Sequence, residues 1–266
     1  MTATRTDRVR QLTVTVSEIA CVVGSLFGIG VIGTRVEESA GGSLSADATL
    51  LAPASTAFSI WSVVYTGLAV FTVWQWLPRA TTSPRIRSVG WLAAASMLLN
   101  ASWLLVTQAG WLWVSVGVIV ALVAVLAVLV TRLAARPAES TVEKLVVDGT
   151  FGLYLGWVCV ATAANVAAVL AAEGVEPARE IAEGIAVTVL LLVGAVGVML
   201  AVVLGGRVAV TAAIVWGLGW IAVGRTTDGP DSTVTAIAAA AVAVIVVAVT
   251  AAVRLRQGVR AGEVVR

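Results

Sequence analysis

Residues 145–171 read LVVDGTFGLYLGWVCVATAANVAAVLA. The run holds a single charge, Asp148, and exceeds the roughly 20 apolar residues a helix needs to cross the hydrocarbon layer. Its apolar residues follow one another without period-two alternation, which argues against a strand. At helical spacing Tyr154, Trp157, Ala161 and Ala164 form a stripe along one side, with Asn165 at its edge. An amide facing lipid is costly, so that side should turn toward other helices. The segment therefore predicts a membrane-spanning helix with one differentiated face.

Seven further stretches have the same character: about 11–33, 55–76, 89–108, 110–131, 181–203, 207–224 and 232–253. All six prolines (Pro53, Pro78, Pro84, Pro137, Pro177 and Pro230) fall between the eight stretches, as expected of a residue that breaks helix interiors. With the N-terminus inside, the inner segments hold 14 of the 17 basic residues, and the outer ones hold only Arg35, Arg179 and Arg225. That bias predicts an even number of crossings with both ends cytoplasmic. The first stretch is too long for the apolar core of a cleavable signal and reads as an ordinary span.

Composition supports the same class. Of 266 residues, 59% are hydrophobic and 12% charged, against about 25% charged in ordinary soluble domains. A soluble globular enzyme, a disordered tail and a basic nucleic-acid binder are excluded, the last because a net charge of +2 is too small to track phosphates. The chain has no His, which removes the usual proton shuttle and the commonest metal and haem ligand. Cys21 and Cys159 cannot form a four-Cys zinc site. The expectation is an all-α integral membrane protein, multi-pass, in the plasma (inner) membrane of a bacterium. Its expected partners are the lipid bilayer and, from the aromatic residues considered next, a small hydrophobic ligand, not nucleic acid.

Aromatic residues are unevenly spread. All four Phe, both Tyr and eight of ten Trp precede residue 172. This shift predicts a five-helix membrane domain over 11–171, a three-helix extension over 172–254 and a cytoplasmic tail over 255–266. Trp74, Trp76, Trp91, Trp111 and Trp113 fall near span ends and read as interface anchors, and Trp216 and Trp220 as helix packing. Trp61, Trp103 and Trp157 lie inside spans, where an indole N–H needs an acceptor. Phe58, Trp61 and Tyr65 share one face of the second span, and Asn100 and Trp103 one face of the third. Asn100 and Asn165 are either interhelical hydrogen-bond glue or polar anchors of an aromatic pocket suited to a flat apolar ligand.

Three motifs resemble those of the TspO/MBR family, the tryptophan-rich sensory proteins that include the mitochondrial translocator protein. PASTAFSIWSVVYTGLAVFTVWQW (53–76) is similar to the family's proline, F and W-x-x-x-Y pattern at Pro53, Phe58, Trp61 and Tyr65. LLNASWLLV (98–106) is similar to N-x-x-W at Asn100 and Trp103. LYLGWVCVATAANVA (153–167) is similar to P-Y-x-x-W-x-x-x-A-T-x-x-N at Tyr154, Trp157, Ala161, Thr162 and Asn165, with Leu153 in place of the proline. The resemblance covers 11 to about 171, the size of the family's five-helix bundle, so the chain reads as a divergent member with about three extra helices.

The resemblance implies a sensor or translocator whose intramembrane pocket takes tetrapyrroles, with a porphyrin or haem as ligand rather than a required cofactor. It implies a lid over about 34–54, a polar stretch containing Gly41, Gly42, Ser43 and Ser45. The ligand-binding set is Phe58, Trp61, Tyr65, Asn100, Trp103, Tyr154, Trp157, Ala161, Ala164 and Asn165. Two alternatives stay open. A photo-oxidative tetrapyrrole-degrading enzyme would use Trp61 and Trp157. A proton-coupled secondary transporter would use Glu18, the one acid well inside a span. Cys159 beside Trp157 reads as a small apolar residue, with axial haem ligation the alternative. No metal-ligand cluster is seen. Gly24-x-x-x-Gly28 allows close helix approach, either within the bundle or in a homodimer.

Overall fold

A computed structural model describes residues 3–28, 30–31 and 34–264. Eight helices among them are long and apolar enough to cross a membrane, and the described residues contain no strand. They are α1 (Arg5–Gly28), α2 (Ile60–Trp74, whose span begins at Ser55 with a 3-10 turn), α3 (Pro84–Gln108), α4 (Leu112–Ala134), α5 (Thr150–Ala172), α6 (Arg179–Val203), α7 (Val208–Thr227) and α8 (Thr233–Val264). The protein is an all-α, multi-pass integral membrane protein. Leu191, Leu192, Val203, Ile237 and Val244 remain exposed, as suits helix sides that face lipid tails.

The helices begin and end for local reasons. Pro84 opens α3 at the first helical position, where its missing N–H costs nothing. The first helix starts at Arg5 and ends at Gly28, displaced from the 11–33 expected from hydropathy. Thr4 and Asp7 explain the early start. The Thr4 amide donates to Asp7 Oδ2 at 2.9 Å and the Asp7 amide to Thr4 Oγ1 at 3.2 Å, a reciprocal cap that apolar counting does not register. At the other end of the chain α8 runs on past its apolar span, with Arg254 to Gly258 exposed, and residues 265–266 lie outside the described residues.

The chain forms two compact units, Met1–Leu44 with Ser59–Leu155, and Ser45–Phe58 with Gly156–Arg266. The composition shift near residue 171 falls inside the second.

In the first unit α1 packs along α3. Gly24 makes this approach close, since a Cβ there would lie 3.2 Å from Ala101 Cα, and one on Gly28 would lie 2.8 Å from Leu104 Cδ2. Both glycines of the G-x-x-x-G pair thus serve packing within the unit. Gly67 of α2 does the same against Thr150. A π-helical turn, Lys144–Gly149, leads into α5 and presents Asp148 to Arg85, which bonds Asp148 Oδ1 at 2.6 Å and Glu143 Oε1 at 3.0 Å. Arg85 also donates to the carbonyls of Arg136 (2.6 Å) and Leu133 (3.3 Å), so its guanidinium is held by two acids and two backbone oxygens. Nearby sequence supplies a second ion group, in which Arg87 grips Asp7 through both of its carboxylate oxygens at 2.8 and 2.6 Å.

In the second unit α8 packs against α6 and α7. Small residues again set the spacing. Gly194 faces Val242, Gly197 faces Val246, Gly217 faces Val160, and Gly156 sits against the Val210 carbonyl. The Thr211 and Thr250 hydroxyls share a hydrogen bond of 2.8 Å.

Candidate ligand site

Within the first unit, α2 presents Trp61 and Tyr65 one turn apart. Their rings stack with centroids 5.3 Å apart and planes at 17°. Tyr154, from the first turns of α5, meets Trp61 edge-on at 5.8 Å and 72°. Such offset and T-shaped pairs satisfy the ring quadrupoles and contribute about 1 kcal/mol each beyond area burial. Asn100 of α3 ties the stack to α1: its Nδ2 donates to Tyr65 Oη at 2.9 Å and to Cys21 Sγ at 3.5 Å. The Asn100 Oδ1 is buried and accepts no hydrogen bond from the described residues. Tyr154 Oη donates to the Ser96 carbonyl at 3.2 Å, which fixes its ring from the α3 side. Trp103 is buried one turn beyond Asn100 on the same helix face. A second edge-on pair, Phe71 with Phe151 at 5.1 Å, continues the α2–α5 contact.

Glu18 lies on α1 one turn before Cys21. It is buried, and neither carboxyl oxygen has a hydrogen-bond partner among the described residues. A carboxyl so placed in a membrane helix is uncommon and marks a polar point in an apolar wall.

Within the second unit, Phe58 meets Trp157 of α5 edge-on, with centroids 5.9 Å apart at 76°. Asn165 is buried two turns further along α5, and Ala161 and Ala164 are half-buried. The segment that delivers Phe58 is fastened to α7. Trp216 Nε1 donates to the Ala57 carbonyl at 2.9 Å, and the Ala54 amide donates to the Trp220 carbonyl at 3.1 Å.

The residues read from the motifs therefore fall into two groups. Trp61, Tyr65, Asn100 and Tyr154 come together in the first unit, and Phe58 meets Trp157 in the second. Sequence reasoning did not anticipate the Ser96 carbonyl, the Cys21 thiol as partner of Asn100, or the fastening role of Trp216 and Trp220. It counted Arg225 only as an outer basic residue. A lone Arg beside Gly224 at the end of an apolar span was the available signal.

The sequence profile of the family described as TSPO-like protein matches residues 12–252. This chain belongs to the TSPO-like family. The matched region reaches α8, so α6, α7 and most of α8 lie within it and not beyond it. No curated protein and no solved structure matches the chain. Membership accords with a membrane sensor or translocator, and an aromatic cluster is present.

Proposed function

We propose that this TSPO-like protein binds flat, hydrophobic ligands of the porphyrin class in the membrane and acts as a sensor or translocator for them. The observation that carries this reading is the Trp61–Tyr65 stack, closed edge-on by Tyr154 and anchored by Asn100. Stacked and edge-on rings offer π faces to a planar macrocycle, while the buried Asn100 Oδ1 offers one acceptor to a ligand N–H. Phe58 and Trp157 supply a second aromatic pair from the same motif set.

Protoporphyrin titrated into the detergent-solubilised protein tests this. Saturable quenching of tryptophan fluorescence is expected, with apparent affinity at least about tenfold weaker in the Trp61→Phe, Trp157→Phe double variant. Linear, non-saturating quenching that is the same in both proteins would overturn the reading.

One observation favours a second reading, proton-coupled transport. Glu18 is a buried carboxyl without a hydrogen-bond partner inside a span. That reading expects Glu18→Gln to abolish pH-driven ligand flux in proteoliposomes, whereas simple binding expects flux and affinity to survive the change.

A further inference from the structure

Arg225, in the last turn of α7, is the second-largest buried side chain of the second unit after Trp157 and only 1% exposed. Its Nη1 donates to the carbonyls of Thr49 (2.6 Å) and Pro230 (3.3 Å), and its Nη2 to those of Ala46 (2.7 Å) and Ala52 (3.1 Å). Three of these four acceptors belong to one segment, residues 45–58, which leads into the second span. No carboxylate of the described residues lies within ion-pair distance of the guanidinium. A planar fork with five N–H donors can gather several carbonyls at once, which a lysine ammonium on a flexible stem cannot do in the same geometry. The site also suits a cation, because the C-terminal end of a helix carries partial negative charge.

The surroundings complete the arrangement. Gly224 precedes Arg225, and a Cβ on it would lie 3.0 Å from the Ala54 nitrogen and 3.4 Å from the Ala52 oxygen, so the segment rests directly on the α7 backbone. Leu51, Ala52, Ala54 and Ala57 are buried, although the surrounding loop reads as polar and mobile from sequence. The contacts of Ala54 with the Trp220 carbonyl and of Ala57 with the Trp216 indole lie along the same line and lead to Phe58. Phe58 then meets Trp157 edge-on.

We propose that Arg225 is a positioning residue: by gathering the carbonyls of Ala46, Thr49 and Ala52 it fixes residues 45–58 on α7 and so seats Phe58 against Trp157. It touches neither ring itself. Of the loop read as a movable lid over 34–54, the part from Ser45 onward is fixed, and ligand exchange does not proceed by lifting it. The bearing on ligand binding rests on the porphyrin reading above; the fastening of the segment does not, so the segment is measured first without ligand.

The full chain in detergent is labelled with 5-fluorotryptophan and studied by hydrogen exchange and fluorine NMR, as wild type, Arg225→Ala, Arg225→Lys and Gly224→Ala. In Arg225→Ala the amides of Ala54 and Ala57 are expected to exchange at least about tenfold faster, while α3 amides keep wild-type protection. The Trp157 fluorine signal, assigned by its loss in Trp157→Phe, moves as it does in Phe58→Leu, and the Trp61 signal stays. Arg225→Lys falls between wild type and alanine. Gly224→Ala, which keeps the arginine and presses the segment outward, also speeds exchange at Ala54. Should Arg225→Ala fail to fold, Arg225→Lys and Gly224→Ala carry the test. Wild-type protection at Ala54 and an unmoved Trp157 signal in the folded variants would overturn the proposal. With protoporphyrin then added, a faster dissociation rate in Arg225→Lys extends the role to binding. Unchanged binding kinetics alongside faster exchange and a moved Trp157 signal keeps the seating of Phe58 and overturns its bearing on ligand binding. Absence of saturable protoporphyrin binding in wild type defeats the ligand reading and leaves the exchange result standing.

Discussion

Arg85 and Arg225 are both buried guanidiniums at ends of membrane helices, and their charge is met in opposite ways. Arg85, in the first unit, is paired with Glu143 and Asp148 and takes two carbonyls besides. Arg225, in the second, is bound by four carbonyls and, among the described residues, by no carboxylate at ion-pair distance. The first is a charge cluster that two acids help to neutralise, so each member depends on the others. The second is a cation spent on ordering main chain. Loss of Arg85 leaves two carboxylates with little water around them. Loss of Arg225 leaves neutral carbonyls that water can reach once the segment loosens. The same residue type therefore serves global stability in one unit and local placement in the other.

Four changes break or sharpen this contrast. Arg85→Ala should be the most damaging, at about 3–5 kcal/mol, because it strands buried acids. A large fall in midpoint for SDS-induced unfolding would register it. Arg225→Ala should cost about 1.5–3 kcal/mol, the range for hydrogen bonds to a charged group, and limited proteolysis should place the new cleavage within 45–58. Tyr154→Phe removes only the hydroxyl bond to Ser96 and should cost about 1 kcal/mol, seen as a small shift of the same unfolding midpoint. Smallest of all should be the triple variant Arg85→Met, Glu143→Gln, Asp148→Asn. Removing the whole charge group together should return stability to within about 1 kcal/mol of wild type, since a buried ion group often breaks even with neutral replacements. If the triple variant is as unstable as Arg85→Ala, the cluster does more than cancel its own charges.

Much of the fold is legible in the sequence alone. The eight spans follow from apolar length, the placement of prolines and the lean of basic residues toward alternate loops. The offset of α1 was hidden only because hydropathy outweighed a capping pair, Thr4 with Asp7, that is itself written in the sequence. The π-helical entry to α5 was not legible, since it depends on Asp148 reaching Arg85 from a distant segment.

The candidate site divides along similar lines. Trp61 with Tyr65 could be read because residues four apart share a helix face, and Asn100 could be read because an amide in lipid needs a partner. Which partners it finds, Tyr65 and Cys21, depends on how the helices pack, with α1 brought close to α3 at Gly24. Backbone acceptors leave no mark in a sequence, so the Ser96 carbonyl under Tyr154 and the carbonyl cage around Arg225 could be found only in three dimensions. The stretch read as a lid shows the consequence. Its polar composition suggested mobility, while residues 51–54 are buried and tied to α7.

The central claim is that the Trp61, Tyr65, Asn100 and Tyr154 group takes a planar hydrophobic ligand. Photocrosslinking with a light-activated porphyrin analogue in lipid nanodiscs, followed by mass-spectrometric peptide mapping, tests it most directly. The account predicts adducts on peptides covering residues 60–74, 84–108 and 150–157, lost on adding excess protoporphyrin. Adducts confined to the apolar outer sides of α6 and α8, or adducts that excess protoporphyrin does not suppress, would contradict it.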